Sequence, residues 1–450
     1  MNWKQLLTRR RLEDKLEVSG ARSIFEQDYD RIIFSTPFRM LQDKTQVFPL
    51  PKQDFVHTRL THSLEVASVG RSIGKSVGEQ IIARHPDLHQ AGYNGYDISM
   101  MVSAACLAHD IGNPPYGHSG EKAISQFFRL SPVGKKFESH VNELEWQDLI
   151  NFEGNAQGFR LLNKERFQGL KLAASTLATF SKYPRGAKLQ ETDSTRRSQK
   201  KFGFFQSEST TFEKVAVHCG LQKVIQDEAV WCRHPLAFLM EAADDICYHL
   251  IDLEDGTNLG LVDYAITEEL MAGILKDRFK PEKLKKIPSV REKTGLLRAL
   301  AIGTLIEQCT HLFLDHESDI LAGNFDTSLT ELVECNNTLN DIIAISVKNI
   351  YHSDIVTAIE IAGFEVLDGL LEVFVDAIYK MTIEKNQFTT REKAVVRILP
   401  AEHQAVLFEP EKDLYLKLRQ LLDFIAGMTD SHAIQLYRKL KGISLGEFGR

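Results

Sequence analysis

Apolar positions recur along most of this chain at intervals of three and four, the spacing that gathers them on one face of an α-helix; alternating, strand-like runs are few. A mainly α fold is expected. Between Arg59 and Ile81, Val66, Val69, Ile73 and Val77 form one stripe, and His62 lies four residues before Val66 on the same face. From Ile98 to Ala108 a second helix is apolar nearly all round. Gly112-Asn113-Pro114-Pro115 ends it, because proline cannot continue the hydrogen-bond ladder. His109 and Asp110 therefore fall at the C-terminal end of a buried helix. A third helix runs from about Leu236 to Leu253, with Gly256 as its expected stop.

Residues 185–211 (RGAKLQETDSTRRSQKKFGFFQSESTT) are polar, locally basic and weakly periodic, and read as a long mobile loop. After Gly260, amphipathic helical patterns continue to Leu440 and predict a C-terminal helical lobe. Asn337 to Asp368 is less regular and could hold a short strand. No period of about 20 to 50 residues marks a repeat array.

Composition narrows the class of protein. The 450 residues are 43% hydrophobic and 26% charged, enough to bury a core and unlike a disordered or fibrous chain. A net charge of -7 argues against a protein that coats nucleic acid or an acidic membrane, so an anionic ligand would need a local cluster of cations. The six cysteines are scattered, without C-x-x-C spacing, and suggest neither a disulfide framework nor a thiolate zinc site; a cytoplasmic protein is the plain expectation. No apolar run approaches the roughly 20 residues needed to span a bilayer, so no membrane partner is expected.

Chemistry concentrates in three stretches: RLTHSLEV (59–66), HDIGNPPYGHSGE (109–121) and EAADDICYHLID (241–252). Each places imidazoles or carboxylates on or beside an apolar helix. Such mixed N and O donors suit a divalent cation of the Mg, Mn, Fe, Co or Ni type, whereas structural zinc more often recruits thiolates. Of the pair at 244–245, Asp244 shares a stripe with Ala237, Met240, Cys247, Tyr248 and Ile251, while Asp245 shares one with Glu241 and His249 that reads as solvated. A carboxylate on an apolar stripe costs several kcal/mol unless something positive meets it, which favours Asp244 as a metal ligand. The alternatives are a hydrogen-bonded core histidine at 62 and an ion-paired core acid at 244.

The H…HD…D pattern resembles that of the HD-domain metal-dependent phosphohydrolases. The text around it is similar to the bacterial deoxyguanosinetriphosphate triphosphohydrolase family in FEQDYDRIIFS (25–35), KTQVFP (44–49), RLTHSLEV, HDIGNPPYGHSGE, FEGNAQ (152–157), SKYP (181–184) and LMEAADDICY (239–248), and more faintly in GMTD (427–430). The resemblance covers residues 20–255 well. It implies an N-terminal, substrate-contacting arm over 1–55, an HD-domain helical core over 56–255 and an additional helical lobe over 256–450.

Carried over residue by residue, the resemblance implies that His62, His109, Asp110 and Asp244 hold one divalent metal and that His118 and Glu121 are the catalytic pair. Arg59 matches a phosphate-binding arginine. Gln46 and Asp252 match contacts to the deoxyribose 3′-hydroxyl, and Tyr248 matches the aromatic that leaves no room for a 2′-hydroxyl. Asn155 and Lys182 match further pocket positions, and Lys201 is a phosphate contact or part of a solvated charge run. The implied reaction splits a deoxynucleoside triphosphate, dGTP or several dNTPs, into deoxynucleoside and triphosphate. The competing readings are another HD-type nucleotide phosphodiesterase or nucleotidase, and a nucleotide- or single-stranded-DNA-binding regulator with a vestigial site. Family precedent also implies a homo-oligomer, a hexamer first, and activation by a dNTP or single-stranded DNA at a second site.

Overall fold

The computed structural model describes residues 1–12, 21–47, 56–164, 170–410 and 412–443; Phe48-Pro49 of the KTQVFP stretch and the 55/56 boundary lie outside them. Among the described residues the fold is helical, and strand-type pairing is confined to four isolated bridges.

The helices that position the site are α1 (Ile24–Ile33), α2 (Arg59–Arg84), α3 (Gly95–Ala108), α4 (Gly117–Leu130), α5 (Gly154–Asn163), α6 (Ala174–Phe180), α7 (Pro235–Asn258), α8 (Tyr264–Leu275), α9 (Val290–Asp315), α10 (Asn336–Ser346), α11 (Asp354–Thr382), α12 (Leu414–Gly427) and α13 (Asp430–Leu440). Thr58 caps α2 by accepting from the Thr61 amide, so the first turn, which carries Arg59 and His62, is held at its open end. Helices α2 and α3 run antiparallel in close contact because Gly70, Gly74 and Gly78, one per turn, let α3 approach. A Cβ at Gly74 would lie 3.1 Å from Ser99 Cα, and one at Gly78 2.8 Å from the Gly95 carbonyl. The start of α2 is thereby brought beside the end of α3, and His62 meets His109. Alanine normally stabilises a helix by about 1 kcal/mol over glycine. Here Gly78→Ala should instead destabilise by about 1–3 kcal/mol, because the methyl meets backbone; a thermal melt that rises rather than falls would contradict this packing.

Two apolar cores result. One joins α1, α2, α3, α6 and α7 with α8, α9 and α10; the other joins Ile124, Phe127 and Phe128 of α4 with α11, α12 and α13. Helices α8 to α10 thus pack against α2, α3 and α7, and α4 packs against the C-terminal helices. Periodicity identifies a buried face but not its partner, so a division near residue 255 does not describe which helices share a core.

Several expectations are corrected. Gly256 does not end the third helix, which continues to Asn258; a Cβ there would lie 2.4 Å from Ile350 Cδ1, so the glycine serves a close approach. Between Asn337 and Asp368 there is no strand: α10 runs into a π-helical turn, Val347–Tyr351, and α11 follows. Residues 185–211 are irregular as expected, yet anchored. Phe202, Phe204 and Phe205 are buried, and Arg197 donates to Glu241 at 2.9 Å. The same segment overturns the solvated reading of the Glu241–Asp245 face. Glu241 is buried between Arg197 and Arg233, and Asp245 accepts from Ser328 (2.9 Å) and Thr330 (2.6 Å).

Candidate active site

Three donor atoms converge where α2, α3 and α7 meet. Asp244 Oδ1 lies 3.3 Å from His62 Nε2 and 3.4 Å from His109 Nε2, and the three ligand atoms all fall within 4.8 Å of one another. The His109 ring is oriented by its own helix end: Nδ1 donates to the Cys106 carbonyl at 2.7 Å, which leaves the Nε2 lone pair facing the cluster. Burial pushes the His109 pKa down, but Asp110 and Asp244 more than reverse it, the field a cation would feel at this point. Asp110 stands at the edge of the trio, its Oδ1 3.6 Å from His109 Nε2 and accepting from Arg59 at 2.9 Å and from Asn113. Its Oδ2 is buried without a protein partner. Burial raises its pKa, yet Arg59 and the two imidazoles hold it at about 2. Two imidazoles, His109 oriented by its helix end, two ionised carboxylates and a buried carboxylate oxygen without a partner among the described residues make a donor set that fits a divalent cation.

These groups face a cavity of about 560 Å³. Gln46, Arg59, His62, His109, Asp110, His118, Asn155, Lys182, Asp244 and Tyr248 all line it; Glu121 and Asp252 stand one layer back. Gln46 Oε1 is buried and has no hydrogen-bond partner among the described residues. Lys182 Nζ donates to Asp244 Oδ2 at 2.6 Å, so its charge is committed first to that carboxylate. Asp252 is buried and accepts from Tyr351 at 2.7 Å, which places Tyr351 between it and the cavity. Burial pushes the Asp252 carboxyl up to about 8 against the lowering effect of the Tyr351 bond. The Tyr351 ring stacks on Tyr248 with centroids 5.8 Å apart.

Also at the cavity, Tyr116 and Gly117 both take left-handed backbone (φ 62° and 57°) and reverse the chain into α4. His118 follows in the first turn with its side chain 71% exposed, and its Nδ1 is 2.8 Å from Glu121 Oε2. The other Glu121 oxygen accepts from the Gly154 amide at 2.7 Å, at the N-terminus of α5. Burial pushes the Glu121 carboxyl up, but His118, Lys201 and the Gly154 amide together hold it near 2. Lys201 is 3.2 Å from Glu153 and 4.0 Å from Glu121, and so belongs to this network.

Comparison with known proteins matches this architecture. Residues 59–145 match the HD domain, and residues 334–439 match the phosphohydrolase-associated domain. A deoxyguanosinetriphosphate triphosphohydrolase-like protein of Synechocystis sp. is 45% identical over 99% of this chain and 100% of its own length. The chain belongs to the deoxyguanosinetriphosphate triphosphohydrolase-like family. Members from Pseudomonas aeruginosa (39% identical, 99% of each chain) and Listeria monocytogenes (33% identical, 99% of this chain and 100% of its own) are similar over the same extent. The protein is an HD-type phosphohydrolase, and both matched regions contribute to the cavity, while Asp244 and Lys182 come from the chain between them. The HD domain carries His62, His109, Asp110 and His118; the associated domain carries Tyr351. No described helix is long and apolar enough to cross a membrane.

Tyr351 escaped the sequence reading because a π-helical turn breaks the 3.6-residue phase from which its facing could have been deduced. Glu360, also at the cavity, falls on the next helix and carries no spacing signal of its own.

Proposed function

We propose that the protein hydrolyses deoxynucleoside triphosphates to deoxynucleoside and triphosphate, with one divalent cation held by His62, His109, Asp110 and Asp244. The observation that carries this reading is that His118, paired with Glu121, lines the same cavity as the three-donor cluster. Bound there, a divalent cation would neutralise phosphate oxygens and favour attack by water. Arg59, beside Asp110, binds the phosphates. Because Glu121 accepts from His118 Nδ1–H, it holds the ring with Nε2 free, and in its protonated form the imidazole gives its Nε2 proton to the departing 5′-oxygen. Gln46, with its free Oε1, accepts from the 3′-hydroxyl, and the stacked Tyr248 and Tyr351 rings leave no space for a 2′-hydroxyl.

The test is a substrate screen of purified protein with each dNTP and rNTP, singly and in pairs, with Mg²⁺ and Mn²⁺. Hydrolysis of dNTPs and not rNTPs supports the reading; no dNTP hydrolysis under any condition rejects it. Activity requiring paired nucleotides would place an activating nucleotide at a second site.

We place the base against Val47, Tyr351, Val356, Ile359 and Glu360, all of which line the cavity. Glu360 is held by Ser119 Oγ at 3.1 Å and is an acceptor only, so guanine, with N1–H and N2–H side by side, is the base it suits best. A bidentate pair is worth about 1–3 kcal/mol of discrimination. Glu360→Gln should therefore reduce the preference for dGTP over dATP by about tenfold, read as the ratio of kcat/KM values; an unchanged ratio would remove Glu360 from base recognition.

A further inference from the structure

We propose that Asp430 is a positioning residue for this reaction: its single carboxylate sets both the segment that presents Gln46 and the turn that presents His118. The proposal rests on the reading given under Proposed function and extends it to a residue that touches no substrate. Asp430 opens α13 and is 1% exposed. Its two oxygens serve two separate segments that both line the cavity. Oδ2 accepts from the Thr45 amide at 2.9 Å and the Thr45 hydroxyl at 2.5 Å; Oδ1 accepts from the Tyr116 amide at 2.9 Å. The Tyr116 hydroxyl also donates back to the Asp430 carbonyl at 3.4 Å.

What hangs on these bonds decides their importance. Thr45 precedes Gln46, the sugar-end residue. Tyr116 is a non-glycine residue in the left-handed region and persists there only when its surroundings impose it. Asp430 holds its amide, and α11 closes on its side chain at Gly363, where a Cβ would come within 2.9 Å of Tyr116 Cβ. Two residues later stands His118. A parallel strut ties the start of the same loop to the same junction: Lys44 Nζ donates to the Asn113 and Ala426 carbonyls, each at 2.6 Å. The Ala426–Asp430 junction between α12 and α13 thus holds both ends of the Asn113–Tyr116 loop, through residues adjoining Gln46.

Acceptor-only chemistry makes the proposal testable. Both positions facing the Asp430 carboxylate are donors, so asparagine, with one acceptor oxygen and one NH₂, can satisfy one side but not both. The experiment measures kcat with dGTP, and the ratio of kcat/KM for dGTP over its 2′,3′-dideoxy analogue, for parent, Asp430→Ala and Asp430→Asn, with bound metal and melting temperature alongside. Asp430→Ala should lose about 100-fold in kcat, the usual effect of roughly 1 Å of misplacement, and most of its preference for the 3′-hydroxyl. In Asp430→Asn one of the two quantities should recover and the other should not. Thr45→Val, which removes only the hydroxyl donor, should lower the 3′-hydroxyl preference several-fold with kcat within twofold of parent, and remains informative if the Asp430 variants do not fold. Variants that lose stability while kcat and preference stay within twofold of parent, or whose activity falls only in step with folded protein and metal, overturn the proposal. A parent that cleaves no dNTP removes the underlying reading instead, and the proposal with it.

Discussion

His118→Ala is expected to lower kcat by about 10²–10⁴-fold while metal content and melting temperature stay at parent values. The separation follows from position. The imidazole stands in the first turn of α4 with its side chain 71% exposed, and among the described residues its hydrogen-bond partner is Glu121. Nothing in the three-donor cluster leans on it, so its removal should not loosen a cation. Glu121→Gln should lower kcat less than His118→Ala, because the imidazole stays but loses the acceptor that orients it. The introduced side-chain amide would also keep the Gly154 bond through its oxygen, so the loss reports on the proton rather than on the fold. Metal analysis beside kinetics checks both variants. If either loses the cation together with activity, the division of labour between the His118–Glu121 pair and the three-donor cluster is wrong.

Asp244→Asn should abolish both activity and metal retention. Asp244 is the shared partner of His62, His109 and Lys182, and its burial is countered by Lys182 and His109, which hold its pKa well below the usual carboxylate value. Asparagine keeps the shape but removes the charge, which leaves Lys182 buried beside a neutral amide. Two losses are therefore expected. Added Mn²⁺ should raise the melting temperature of the parent and not of the variant, since only a bound ligand stabilises the folded state. Activity should fall below detection. A variant stabilised by Mn²⁺ to the parent's extent would show that the cation sits elsewhere.

The convergence of His62, His109 and Asp244 was legible in the sequence because helix phase and helix ends suffice to place the three residues. His62 lies on the apolar stripe of α2, His109 at the point where α3 must stop, and Asp244 on the buried stripe of α7. Gly70, Gly74 and Gly78, one per turn, were not part of that reading, yet the close α2–α3 approach they permit is what brings the histidines together. Phase alone misjudged Glu241 and Asp245. Their face is covered by Arg197, Arg233, Ser328 and Thr330, distant in sequence and partly non-helical, so an acidic stripe that looks solvated is in fact an ion-paired interior. Asp252 shows the converse limit. Its place on α7 points it toward the cavity, but Tyr351, about a hundred residues later, fills the space between. The roles of Lys44 and Asp430 were not legible, because they are long-range hydrogen bonds to loop backbone, which leave no periodic trace.

The central claim is which bond breaks, and an isotope experiment reads it directly. The reaction is run with dGTP in H₂¹⁸O, and the products are separated and weighed by mass spectrometry. Attack of water on the α-phosphorus with departure of the 5′-oxygen, protonated from His118, predicts deoxyguanosine without label and triphosphate carrying one ¹⁸O. Deoxyguanosine monophosphate with pyrophosphate, or label in the deoxyguanosine, would contradict it.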